Sequence, residues 1–181
     1  MGYLILGAVV LLIIYLVYVY NDLVSWRNKV KDSWSQIDVQ LKRRFDLIPN
    51  LVNTVKGYAR YEGETLTKVV EARNSFMKAS SPQEALKANG ELTELLGRLA
   101  VVVERYPNLK ANESYISLQN QLVETENKIG YSRQFYSDTV MLYNNRVQGF
   151  PSNTIALLFD FKEAPYFAAD DTERENVEVN F

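Results

Sequence analysis

From Leu23 onward, apolar side chains return at a fixed interval. Leu23, Val30, Ile37, Leu51 and Tyr58 stand on one seven-residue repeat, and Trp34, Leu41, Ile48 and Val55 form a second row beside it. Two rows on a mean spacing of about 3.5 residues are the seam of a helix packed along another helix. The pattern predicts one long helix over residues 21–60. Two residues interrupt it: Arg44 stands where the seam calls for an aliphatic side chain, and Pro49 lies inside the helix.

Three further helices follow from the same reasoning. Gly57 and Gly63 bracket a turn, after which Leu66, Val69, Arg73 and Phe76 mark a second helix over 64–79. Ser81-Pro82-Gln83-Glu84 is a helix start, with serine as cap, proline first and glutamate third. The third helix, 82–106, carries Leu92, Leu95, Leu99, Val102 and Tyr106, and Val101-Val102-Val103 widens its apolar face. Pro107 is expected to end it. Asn112 is placed to cap a fourth helix over 112–148, whose Tyr115, Leu122, Ile129, Tyr136 and Tyr143 again repeat by sevens; Gly149-Phe150-Pro151 stops it. No segment alternates as a strand would. The expected class is all-α: an N-terminal transmembrane helix continuous with a long antiparallel four-helix bundle over 21–149.

The anchor, residues 1–20, contains the uncharged run Tyr3 to Tyr20. Eighteen helical residues reach about 27 Å, close to the roughly 30 Å of a bilayer's hydrocarbon core, and tyrosine at each end suits the two interfaces. Arg27, Lys29 and Lys31 follow the span and no basic side chain precedes it, so the positive-inside rule places the bundle in the cytoplasm and the N-terminus outside the bacterial inner membrane. Up-and-down topology then returns the fourth helix towards the bilayer. Residues 150–168 are expected as an apolar membrane-proximal segment, with Ser152 capping a short turn. Phe150, Ile155, Leu157, Leu158 and Phe159 would meet lipid, a neighbouring copy or the base of the bundle itself. Residues 169–181 carry Asp170, Asp171, Glu173, Glu175 and Glu178 and read as an acidic flexible tail.

Composition narrows the chemistry. The 181 residues are 47% hydrophobic, enough for a core, and the net charge of −2 offers no nucleic-acid footprint beyond Lys42-Arg43-Arg44. A solvated helix face accounts for Lys42 and Arg43. The chain contains neither cysteine nor histidine. That removes thiol nucleophiles, histidine general bases, disulfides, the common zinc sites and the Glu-x-x-His pairs of di-iron bundles. We therefore expect no catalytic residue, no cofactor and no metal ligand.

Arg44 and Pro49 are the remaining singularities. Running the fourth helix antiparallel to the first, with Val147 opposite about Ser25, brings Arg44 opposite about Lys128. Within a turn of that point lie Glu126, the first choice for a buried register-setting ion pair, and Glu124, the second, with Thr125 and Asn127 as polar neighbours. Binding an anionic group is the competing role for Arg44. Pro49 cannot donate to the carbonyl of Phe45 and should kink the helix; a hinge is the competing reading.

Several blocks carry a family resemblance: Tyr20-Asn21 through Arg27-Asn28, Trp34 to Ala59, Glu71-Ala72-Arg73, Glu104 to Tyr115, Leu118 to Ile129, Tyr143 to Val147 and Phe150 to Ala156. Through them the chain resembles the LemA family of bacterial single-span membrane proteins. The resemblance implies a helical bundle on a membrane helix, a link to membrane organisation including specialised internal membranes, and occasional association with membrane metalloproteases. It brings no catalytic residue. Tyr61 departs from the pattern, standing where many relatives carry histidine. The expected function is a non-enzymatic membrane-anchored scaffold that self-associates, motivated by Val39, Leu47, Ile116 and Val123 lying outside the seams. The alternative is a regulatory adaptor presenting partners to a membrane enzyme such as a metalloprotease. Expected partners are the lipid bilayer, further copies of the chain and possible other membrane proteins, with no nucleic acid.

Overall fold

A computed structural model describes residues 1–59 and 61–166; the acidic segment expected over 169–181 lies outside the described residues. Every regular element among the described residues is helical: α1 (Gly2–Lys56), α2 (Gly63–Lys78), α3 (Pro82–Val103), α4 (Pro107–Lys110), α5 (Glu113–Gln148) and α6 (Ser152–Leu158). The all-α class is therefore correct. Two boundaries differ from the sequence reading. The third helix ends at Val103 rather than running to Pro107, and Pro107 instead opens the one-turn α4, where a missing N–H costs nothing. At the end of α1, Tyr58 lies beyond the last helical residue and is 44% exposed, so it leaves the seam.

The chain forms two compact units, one of Met1–Gln36 with the chain from Ser132, the other of Ile37–Tyr131. In the second unit, α1 contributes Ile37, Leu41, Phe45, Ile48, Leu51, Val52 and Val55 to the core, all 4% exposed or less. Leu41, Ile48 and Val55 are one seam row; Phe45 and Val52 form a third row beside it, so the buried stripe is wider than a two-row seam. α2 packs on α3, and Phe45 stacks on Phe76 of α2 with ring centroids 4.1 Å apart. Antiparallel pairing of α1 and α5 within this unit shows in its contacts: Tyr58 Oη accepts from Asn112 Nδ2 at 3.0 Å, while Arg44, fourteen residues before Tyr58, meets Glu126, fourteen residues after Asn112. Pro49 is exposed, α1 continues past it to Lys56, and Ile48, Leu51 and Val52 around it remain buried.

Two helix starts are capped by side chains. Ser81 caps α3, its Oγ accepting the Glu84 N–H at 3.3 Å, and Asn112 caps α5, its Oδ1 accepting the Tyr115 N–H at 3.0 Å. Glu84 folds back one residue further than a simple capping box, onto the N–H of Ser80 at 2.7 Å and its hydroxyl at 3.0 Å. Those two donors hold the Glu84 carboxyl below the usual carboxylate range.

In the first unit, α5 again runs antiparallel to α1. Arg146 Nε donates to Asp22 Oδ2 at 2.9 Å, and Trp34 meets Tyr136 edge-to-face at 5.9 Å. After the turn at Gly149, α6 folds back so that Ile155, Ala156 and Phe161 pack with Val19 and Leu23 of α1. Gly149 is required there by space: a Cβ would lie 2.7 Å from the Asn145 carbonyl oxygen. Ser152 does not cap α6, contrary to the sequence reading. Its hydroxyl lies 2.7 Å from the Arg146 carbonyl oxygen and 2.9 Å from that of Gly149, satisfying the end of α5 instead.

Candidate functional site

The polar layer of the Ile37–Tyr131 unit is built around Arg44. Its neighbours Leu41, Phe45 and Ile48 are fully buried, and the helix therefore carries the guanidinium into the core at 4% exposure. Such a charge needs partners. Nη1 lies 2.6 Å from Glu126 Oε2 and donates to Asn89 Oδ1 at 2.5 Å and Thr93 Oγ1 at 3.0 Å. Of the two glutamates singled out from the sequence, Glu126 meets Arg44. Glu124 points elsewhere, to Lys128 Nζ at 2.5 Å, and that ammonium holds the Glu124 carboxyl below its usual range.

The neighbours expected from α5 do not join the layer through side-chain bonds. Thr125 is buried but its hydroxyl donates to the Gln121 carbonyl of its own helix at 2.7 Å, and Asn127 is exposed. The missing ligands come from α3. Asn89 is 2% exposed, and Thr93 Oγ1 also donates to the Asn89 carbonyl at 3.0 Å. One signal was present: Asn89 interrupts the apolar face of α3 between Ala88 and Leu92 much as Arg44 interrupts that of α1.

The second constellation lies in the first unit, where α1 leaves its apolar run. Tyr20 meets Phe159 and Phe161 edge-on at 4.9 and 5.7 Å. Arg27 sits over the Phe161 ring at 4.9 Å, while Lys29 and Arg146 sit over Trp26 at 3.9 and 4.0 Å. Cations over aromatic faces are favourable, more so where water is scarce. The sequence grouped Phe150, Ile155, Leu157, Leu158 and Phe159 as one contact set. The structure divides it. Ile155 is 2% exposed and belongs to the packed cluster, whereas Phe150, Leu157, Leu158 and Phe159 remain 52–87% exposed.

The chain after α6 is tied to α5 by polar bonds. Tyr136 Oη donates to the Pro165 carbonyl at 3.0 Å and Tyr143 Oη to that of Lys162 at 2.9 Å. Asn144 makes a two-way pair with Ala164, donating to its carbonyl at 2.9 Å and accepting its N–H at 2.8 Å. Burial of Tyr136 and Tyr143 pushes both phenols above their ordinary value, which keeps them as donors.

Among the described residues, no three acidic side chains are grouped as a metal site would require. Surface grooves beside α5 are shallow and lined by amides and hydroxyls such as Asn53, Thr54, Ser117 and Gln121. Among the described residues, one helix, α1, is long and apolar enough to cross a membrane, and its most apolar stretch is almost wholly unburied.

Comparison with known proteins agrees with the resemblance. A model described as the LemA family matches residues 33–181. The chain is 25% identical to "Protein LemA" of Metamycoplasma hominis, over 93% of this chain and 78% of that protein. It is 28% identical to "Magnetosome protein MamQ 2" of Paramagnetospirillum magneticum and 24% identical to "Magnetosome protein MamQ" of Magnetospirillum gryphiswaldense. Each of these two matches takes in 82% of this chain but only 64% of the magnetosome protein's length.

Proposed function

Because the chain belongs to the LemA family, we propose that it is a non-enzymatic, membrane-anchored helical scaffold, one that self-associates and organises the bacterial membrane or the proteins on it. Residues 1–20 serve as the anchor, with the helical units on the cytoplasmic side. The observation that carries self-association is the set of aliphatic side chains left uncovered on the surface of Ile37–Tyr131: Val39, Val101, Ile116 and Val123 are each 42–71% exposed. Single exposed aliphatics are ordinary on a protein surface, but these lie on helices confined to two dimensions, where effective concentration is high and weak contacts suffice. Arg44 serves this role by fixing the helix register on which that surface depends. The magnetosome names of two relatives fit a membrane-organising role.

The absence of native cysteine makes a direct test clean. Val39→Cys and Val123→Cys variants, oxidised in intact membranes, should give disulfide-linked homodimers from at least one position, with Asp138→Cys, an exposed polar site, as control. Monomers at both valine positions would contradict self-association through this surface. Recovery of a membrane protease at near-equal amounts without any homodimer would favour the adaptor reading.

A further inference from the structure

Among the described residues, α6 and the turn before it present apolar side chains that stay exposed. The fold buries Ile155 and Ala156 against Val19 and Leu23 but leaves Leu157 82%, Leu158 74% and Phe150 87% exposed. The location of this face decides its occupant. Val19 and Leu23 are the residues at which α1 passes from its apolar span to its first charged side chains, and one turn of helix covers about 5.4 Å. Tyr20 meets Phe159 and Phe161 here, with Arg27 over the Phe161 ring, and within two turns of α1 Lys29 and Arg146 sit over Trp26. Aromatic rings with adjoining cations are the side chains that favour a bilayer's headgroup region.

We propose that α6 is a membrane-inserted wedge: Ile155 and Ala156 clamp it to α1, and Phe150, Leu157 and Leu158 enter the headgroup–acyl boundary beside the span. Interfacial helices sit about 5–10 Å into that boundary. A seven-residue helix is too short to hold there alone, but α6 is delivered by its attachment to α1, and insertion is intramolecular. The chain beyond residue 166 is a poor cover for leucines, since it carries five acidic residues and only two valines and two phenylalanines among its larger apolar ones. Phe159, next to the exposed leucines in the chain, instead touches Tyr20 at the end of the apolar run of α1. This inference rests on the anchor part of the proposed function and is independent of self-association.

The test uses full-length protein in vesicles of phosphatidylcholine and phosphatidylglycerol, with a nitroxide label on single cysteines. Leu12→Cys samples the span, Asp46→Cys the water-exposed bundle, and Leu157→Cys and Leu158→Cys the wedge. Labels at 157 and 158 should be open to oxygen and protected severalfold from a water-soluble nickel chelate relative to 46, as the label at 12 should be. Labels at 157 and 158 that match position 46, while 12 remains in lipid, overturn the wedge and leave the anchor intact. A label at 12 in water overturns both. Shielding of 157 and 158 from oxygen and nickel together means that protein covers them, and overturns the lipid assignment in favour of a second copy.

Discussion

Arg44 Nη1 and Glu126 Oε2 lie 2.6 Å apart, yet the arginine side chain is 5% exposed and the glutamate 43%. The pair is therefore asymmetric: one charge is committed to the core, while the other keeps a path to water.

That asymmetry predicts which half matters more. Glu126→Leu takes the carboxylate from a buried guanidinium and should cost about 3 kcal/mol, at the lower end of the range for breaking a buried pair. Arg44→Met removes the buried charge itself. Glu126 then turns to solvent, and the remaining cost is the bond lost by Asn89 and Thr93, about 1–3 kcal/mol. The double substitution leaves no buried charge but still leaves Asn89 and Thr93 without their donor, so it should cost about what Arg44→Met costs alone. Denaturant unfolding in mild detergent measures all three. A larger loss for Arg44→Met than for Glu126→Leu would contradict the assignment of the core charge.

Asn144→Ala removes both bonds to Ala164 while leaving Tyr136 and Tyr143 in place. The segment 161–166 should then become more accessible to proteases and exchange its Ala164 amide faster, with helix content unchanged. Unaltered protection of that amide would show that the two tyrosines suffice.

The Glu84 cap sets a pH dependence at the start of α3. Its carboxyl is depressed in the folded protein by the Ser80 donors, so the cap's contribution is complete above the ordinary glutamate range. It is lost as pH falls through the lower folded value. Nuclear magnetic resonance should show Glu84 titrating below an unperturbed glutamate, with the Ser80 amide following the same curve. An ordinary Glu84 midpoint would refute the cap.

At the end of α6, Phe161 N–H donates to the Ala156 carbonyl at 2.9 Å and Asp160 N–H to that of Leu157 at 3.4 Å, with Asp160 at φ 54°. This is the Schellman arrangement, and Phe161 and Ala156 supply its apolar contact. A β-branched residue in the left-handed region costs about 1–2 kcal/mol, so Asp160→Val should loosen α6 while Asp160→Gly should not. Hydrogen exchange of the Phe161 amide reports the difference; equal protection in the two variants would count against it.

These sites differ in how readable they were. The two seam rows were legible because burial imposes a period on sequence: Leu23, Ile37, Leu41, Ile48 and Val55 are 0% exposed. Antiparallel register then sufficed to bring Glu126 to Arg44. Asn89 and Thr93 were not reached, because periodicity says which face of a helix is buried and not which neighbour it meets at a given layer. The α5 clasp on residues 162–165 was hidden for another reason: a tyrosine or asparagine bonded to a distant backbone carbonyl imposes no spacing of its own. Asp160 concealed the Schellman turn, since glycine is the usual signal for that position. Phe45 was overlooked because it stands next to the arginine and outside two-row counting.

We propose that this chain works as an assembly of its own copies at a membrane. Extracting it from native membrane with a disc-forming polymer, without detergent, and weighing single particles decides the point. Particles carrying two or more copies of the chain and no stoichiometric second protein are expected. Particles with a single copy, alone or with one other membrane protein at equal amount, would contradict it.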